Sequence, residues 1–516
     1  MRGHGATGLA KFWKLQLQDF PDGRPLNRPL GTVFLLKAAV DYIQSQLQVE
    51  MAMSDRRRSD AGTLRVERVL IGPIVPTLLA LAAPMVLVLT VQAGINLVET
   101  HFIGGLGVEP LAGAAMVFPI IMLMQMVASG GLGGGIASAI ARSVGAGERD
   151  RASALVGHGL ILATLCGSVS TMLGLAIGPM IYRTFDGSAT TLQAAIDYSD
   201  TVFAGAVLLW WSNALASSLR GSGEMLATAA IILVSAITAV VLSPCLILGL
   251  GPFPRLGMVG AGLAILSYYG LCTLGFLGWL GLVGTGWRRL VGFERDLFAE
   301  ILSVGGLSTI MALQSALAVI IVTGLASGYG SLVLAGYGIG SRLDALLVPP
   351  IFGLGAATVT MVGINVGAGQ TRRAEQIAWI GALIAAVVLE TLGLLAAAFP
   401  RAWLGLFTDD AAVLKTGARY LHAVAPFYGC LGVGTILHFA AIGAGCPRGP
   451  LFGITARFLV AAGGGAMVAG LLHGTPRQLF AMVAGGLVAF AIINAVFVLR
   501  GSLGAAPVSP AAGRRP

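Results

Sequence analysis

From Ile71 to Arg500 one apolar stretch follows another with little between them, and each is long enough to cross hydrocarbon roughly 30 Å thick, which takes about 20 helical residues. Few architectures accept such a chain. With 56% hydrophobic and only 11% charged residues, and a mean hydropathy of +0.86, it has too little polar surface for a soluble fold of 516 residues. It reads as an all-α membrane protein. The 74 glycines, costly in water-soluble helices, let membrane helices approach closely and point to dense helix packing. Spans are expected at 73–103, 111–141, 153–182, 191–218, 226–250, 259–284, 300–328, 332–364, 375–400, 413–443, 450–472 and 478–499. The fourth and tenth of these are the least apolar, because their starts carry Asp197, Asp200, Arg419 and His422.

The twelve spans fall into two sets of six, because the chain repeats itself. Val144-Gly145-Ala146-Gly147, closing on Arg151-Ala152, returns about 222 residues later as Val366-Gly367-Ala368-Gly369, closing on Arg373-Ala374. At the same spacing, to within a residue, Leu111-Ala112-Gly113 returns as Leu334-Ala335-Gly336, Tyr198 as Tyr420, and Gly221-x-Gly223 as Gly443-x-Gly445. An even number of spans per copy gives both copies one orientation, related by a pseudo-two-fold axis along the membrane normal, as in transporters that carry a substrate between two lobes. The expected organisation is a polar, structureless extension over 1–70, an N-lobe over 71–284, a linker over 285–299, a C-lobe over 300–500 and a disordered tail over 501–516. Met51 and Met53 precede a basic lead into the first span, so the start of translation is open among these and Met1. The duplicated Gly-Ala-Gly segments are expected to be tight turns.

Charge sets the orientation. Arg142, Arg149, Arg151, Arg220, Arg288, Arg289, Arg295, Arg372, Arg373 and Arg448 all fall on one side of the twelve-span arrangement, while the other side carries fewer arginines, diluted by Asp186, Asp409 and Asp410. The positive-inside rule then puts both termini in the cytoplasm, and the expected location is the cytoplasmic (inner) membrane. Arginines placed as topology signals, despite a net charge of +9, argue against nucleic acid as a partner. The expected partners are membrane lipid and a small-molecule substrate, with the chain acting as a monomer. Five scattered cysteines without metal-ligand spacing suggest neither a disulfide framework nor a metal site. With no nucleotide-binding loop, no enzymatic constellation and no cofactor indicated, the energy for transport would come from an ion gradient.

The first span reads Pro84-Met85, Gln92 and Asn96-Leu97-Val98-Glu99-Thr100, followed by Phe102-Ile103-Gly104-Gly105-Leu106-Gly107. With the duplicated GAG-x-x-x-RA segments, the Leu219-Arg220-Gly221-Ser222-Gly223 turn and Gln314, this order of motifs resembles the multidrug and toxic compound extrusion (MATE) family over about Ile71 to Arg500. The resemblance implies a two-lobed, twelve-helix exporter that uses an inward H+ or Na+ gradient to expel amphipathic, often cationic compounds. It also implies that Glu99 stands where the family carries a coupling carboxylate, usually Asp. The fifth helix departs from the family's Asn-x-x-x-Asp-Pro pattern, because Ser243 occupies the place of the second carboxylate before Pro244. The acidic residues that some relatives carry in the seventh and tenth helices are also missing here.

One carboxylate suits a proton better than a sodium ion, which wants several oxygen ligands and more than one negative charge. H+ is therefore the favoured coupling ion and Na+ the possible one, with Asn96, Asn213 and Ser243 as neutral ligands beside Glu99. Gln92, Met116, Met124 and Gln314 are the candidate substrate-binding residues, and Pro84, which lacks the N–H for the i to i−4 bond, is the candidate hinge. Against these stand plainer roles: a solvated helix end for Glu99, an interhelical hydrogen bond for Asn213, lipid or packing contacts for the methionines. Arg342, Asp344, Glu390 and Arg457 lie in spans and are expensive there unless paired or wet. His422 and His438 read as packing residues. The alternative function is a flippase for lipid-linked sugars, which would want further helices and a cationic cavity.

Overall fold

The structure is a computed structural model, and it describes residues 55–185, 188–250, 252–282 and 293–504. Among these residues the chain is helical throughout, with α1 (Asp55–Ile71), α2 (Ile74–Gly104), α3 (Val108–Gly145), α4 (Arg149–Tyr182), α5 (Ala189–Ala204), α6 (Ala206–Gly221), α7 (Met225–Leu248) and α8 (Gly257–Leu282). Then come α9 (Arg295–Ser327), α10 (Ser331–Gly367), α11 (Thr371–Ala398), the short α12 (Pro400–Leu404), α13 (Ala411–Gly443), α14 (Arg448–Gly470) and α15 (Pro476–Leu499). Eleven helices are long and apolar enough to cross a membrane, and the bent pair α5/α6 makes a twelfth. This is the twelve-helix membrane architecture that the apolar runs imply.

Two stretches differ from expectation. Residues 55–70, read as part of a structureless extension, are helical in α1, because that segment finds partners: Val69 packs with Leu354, Met361 and Val362, and the carbonyls at its end are hydrogen-bonded by Arg373. The seventh span begins at Arg295, inside the stretch read as linker. Residues 1–54, 283–292 and 505–516, which hold the rest of the expected extension, linker and tail, lie outside the described residues.

The fourth and tenth spans, with their polar starts, are both broken. α5 and α6 meet at a 50° bend at Gly205, whose φ of −101° and ψ of 17° leave the helical region. A methyl group at Gly205 would collide with Leu266 of α8, so the residue serves the close approach as well as the bend. In α13 the break is a single 3-10 turn over Ala425–Phe427, where Pro426 cannot donate a backbone hydrogen bond. Glu390 of α11 supplies an acceptor at that break, taking the Gly429 N–H at 2.7 Å.

The duplicated sequence produces duplicated contacts. A side chain at Gly145 would strike the carbonyl of Ile364, and one at Gly367 would strike the carbonyl of Arg142; the second pair is the first advanced by the repeat spacing, with the lobes exchanged. Gly131 against Thr309 and Gly353 against Val86 form another such reciprocal couple, now joining α3 to α9 and α10 to α2. Residue i of one copy meets residue j of the other and the converse holds, which is the pattern a two-fold axis imposes. The axis therefore runs between α3 and α10. The turns that follow are also matched, with Gly147 and Gly369 at φ of 77° and 76°, a left-handed conformation that glycine adopts without strain.

Candidate ion-coupling site

Glu99 lies in the last third of α2, at the end away from the arginines, where a helix-end residue could simply be wet. The residue is half-buried, and one of its two carboxylate oxygens, Oε1, is shut off from solvent with no hydrogen-bond partner among the described residues. Tyr198 of α5 and Tyr269 of α8 both stand within electrostatic reach of the carboxylate. Neither donates a hydrogen bond to its Oε1.

Around this carboxylate the N-lobe carries a chain of neutral polar groups. The Tyr269 hydroxyl donates to Oε1 of Gln125 at 3.2 Å, and the Asn213 Nδ2 donates to the same oxygen at 3.2 Å while also bonding the Leu209 carbonyl at 2.9 Å. Tyr268, whose ring meets that of Tyr269 edge to face at 4.9 Å, accepts a 2.7 Å bond from Nε2 of Gln92. Four spans thus meet through polar side chains: α2 through Gln92 and Glu99, α3 through Gln125, α6 through Asn213, and α8 through the tyrosine pair. Just beyond Gln125, α3 passes through a π-helical turn over Val127–Leu132, and the Ser129 hydroxyl bonds back to the Gln125 carbonyl at 2.8 Å. Interruptions of this kind recur at functional positions in helices.

The remaining candidates separate. Ser243 is buried on α7, which packs against α2, but its hydroxyl has no hydrogen-bond partner among the described residues, so nothing ties it to Glu99. The side chain of Asn96 lies outside the described residues. Met116 packs in the apolar cluster that holds Ile103, Val117 and Tyr198, Met124 is buried, and Met122 and Met126 are exposed. Gln314 belongs to the other lobe, where it exchanges hydrogen bonds of 3.1 and 3.3 Å with Thr455. Pro84 lies within α2, two residues from Val86, which makes one of the reciprocal contacts on the axis.

The C-lobe has a buried carboxylate of its own, and it is held. Asp344 of α10 accepts hydrogen bonds from Tyr428 and, at 3.2 Å, from Tyr420, and Arg457 of α14 lies within electrostatic reach. Tyr337 packs edge to face on Tyr420 at 5.3 Å. Tyr420 is the repeat partner of Tyr198, so the same tyrosine position faces a carboxylate in each lobe, although the acid comes from the first span in one lobe and the second in the other. Arg342 sits over the Phe407 ring at 5.5 Å, and His438 packs against Phe439 and Phe490. Arg342, Asp344, Glu390 and Arg457 are thus each engaged. Of the two carboxylates faced by the matched tyrosines, Glu99 alone has an oxygen left without a donor.

Tyr269, Tyr268 and Gln125 were not among the expected site residues, and Tyr198 was noted only as a repeat position. A signal was present: the chain has nine tyrosines, and six of them gather around these two acids.

Two matched sets of six spans meeting across a pseudo-two-fold axis, each with a cluster of tyrosines about a carboxylate, define a two-lobed membrane transporter. The chain belongs to the MatE family, the multidrug and toxic compound extrusion transporters, whose model matches it twice, over residues 84–245 and 308–467. A FAD transporter of Shewanella oneidensis is 28% identical over 367 residues, covering 70% of this chain and 80% of that protein. A probable multidrug resistance protein NorM of Geobacillus kaustophilus is 26% identical over 354 residues, covering 67% and 77%. Among solved structures, the outward-facing conformation of a multidrug resistance MATE family transporter of the MOP superfamily matches with a TM-score of 0.75 at 25% identity, covering 84% of this chain and 97% of that one. A MATE transporter in its bent conformation matches with a TM-score of 0.77 at 25% identity, covering 85% and 97%. The flippase alternative finds no support among these relatives.

Proposed function

We propose that this chain is an ion-coupled antiporter that exports small amphipathic compounds, cationic ones above all, with H+ as the coupling ion and Glu99 as the group that carries it. The observation behind this reading is the sealed Oε1 of Glu99, which has no donor among the described residues. A bare carboxylate oxygen removed from water is costly unless a proton or a cation joins it, and the surrounding tyrosines and amides offer no countercharge. Gln125, Gln92 and Asn213 are neutral, so the polar chain beside Glu99 supplies no second negative charge for a dehydrated sodium ion. Deprotonated Glu99 would hold a cationic substrate or its polar neighbours; protonation removes that attraction, and α2, freed of one backbone bond at Pro84, shifts and releases the cargo.

In this reading the arginine-rich end of the bundle faces the cytoplasm, the protein works as a monomer in the inner membrane, and no cofactor takes part. The test is efflux from proteoliposomes under a pH gradient and a Na+ gradient imposed separately, with a fluorescent organic cation as cargo and FAD as a second arm suggested by the Shewanella relative. A pH gradient alone should drive export of the cation. Glu99→Gln should abolish that export and leave a folded, monodisperse protein, and wild-type rates in that variant would remove Glu99 from the mechanism. Transport driven by Na+ alone would replace the proton with sodium.

A further inference from the structure

The arginine-rich end of the molecule carries a set of inter-lobe bonds that the coupling site does not use. Glu300, in the first turns of α9, is gripped by two arginines of the other lobe: Arg142 of α3 reaches its Oε1 at 2.8 Å and Arg151 of α4 its Oε2 at 2.7 Å. The grip is partly shielded, with side-chain exposures of 15% for Arg142, 20% for Glu300 and 26% for Arg151, so water and salt screen it less than a surface pair. Arg142 is itself braced by Ser138, whose hydroxyl donates to the Ile442 carbonyl of the C-lobe.

The repeat matches Arg151 with Arg373, and Arg373 does something different. Among the described residues no acid takes the place of Glu300. Its guanidinium donates to the carbonyls of Val69, at 3.3 Å, and Gly72, the last groups of α1 and of the link into α2, and Asn365 adds a bond to the Val69 carbonyl at 3.4 Å. The middle of α1 is tied to the N-lobe, through an ion pair of Arg65 with Glu224 and a 3.0 Å bond from Arg149 to Thr63. So α1 crosses from one lobe to the other. Helix C-terminal carbonyls carry partial negative charge, which lets them stand in for a carboxylate before an arginine.

We propose that the Arg142–Glu300–Arg151 cluster and the α1 strap held by Arg373 are the two halves of one gate, which keeps the lobes together at this end and must release for the cavity to open there. The two devices occupy matched places on either side of the pseudo-two-fold axis, one made by a carboxylate and the other by a helix end. Opening at this end separates α9 from α3 and α4, and α11 from α1, so it has to break both. Because α1 leads directly into α2, release of the strap also frees the helix that carries Glu99. The gate is independent of which ion or cargo the protein uses.

The experiment is a distance measurement by double electron–electron resonance in nanodiscs. Spin labels go on Asp150 and Arg372, exposed residues at the same repeat position at the starts of α4 and α11, in a background without the five native cysteines. The wild-type protein should give a short, narrow distribution. Glu300→Gln, which is isosteric, should raise the population at longer distance about tenfold, Arg373→Gln should act in the same direction, and the double variant should exceed either. Arg151→Gln added to Glu300→Gln should change little further, since both remove one interaction. Unchanged distributions in both Glu300→Gln and Arg373→Gln, with folded protein, would overturn the proposal. Should Glu300→Gln not fold, Arg151→Gln makes the same test at a more exposed residue. Failure of Glu99→Gln to affect export leaves these distances unaltered, so the gate and the coupling site stand or fall separately.

Discussion

The two lobes place buried acids in opposite circumstances, and that contrast is what the residue scale contributes. Asp344 has two hydroxyls and an arginine; Glu99 has a sealed oxygen and neutral neighbours at one remove. Removing one hydroxyl from each should therefore read out differently. Tyr428→Phe takes away a bond to a charged group and should cost about 1–3 kcal/mol, seen as a lowered Tm in detergent, while the pH dependence of efflux stays as it was. Tyr269→Phe breaks the chain that runs through Gln125 to Asn213 and should instead slow pH-driven efflux several-fold with little change in Tm. The sequence pointed to Glu99 as a candidate because its motif resembles a known one, but it did not point to the neighbours. Tyr268, Tyr269 and Gln125 come from spans remote in sequence, and a hydrogen bond between α3 and α8 leaves no mark on the local pattern of either helix.

At the scale of elements, apolar length announced the spans and said little about their straightness. The fourth and tenth spans were suspect because of their polar starts, and these are where the helices break, at Gly205 and at Pro426. Both breaks rest on contacts with a neighbouring helix, Leu266 in one case and Glu390 in the other, which is why the sequence could flag the place but not the shape. α1 was misread for a related reason. Its local composition is polar and mixed, and it is the two lobes bonded along its second half that hold it as a helix. The matched glycines give a prediction at this scale: Gly145→Ala and Gly367→Ala each force a methyl into a backbone carbonyl of the opposite lobe. Each should destabilise by about 1–3 kcal/mol, the range for overpacking, and by similar amounts because the surroundings are the same. Thermal unfolding of the two single variants, followed side by side, checks it; a large loss in one and none in the other would mean that the contacts are not equivalent.

For the whole molecule, orientation follows from where arginine collects. Cysteines placed at Asp150 and at Leu406, both exposed and at opposite ends of the bundle, should react with an impermeant thiol reagent from opposite sides of inner-membrane vesicles, Asp150→Cys from the cytoplasmic side. Labelling of both from one side would refute the arrangement. The reciprocal glycine contacts carry one consequence further. An interface in which every contact occurs twice with its partners exchanged is what two identical chains make when they pair, so a single six-span ancestor could have assembled with itself through the same surface before the copies were fused. Once they were fused, each copy became free to diverge wherever it no longer had to satisfy its twin: one kept an acid at Glu300 for the arginines opposite, while the other came to rely on the chain's own leading helix.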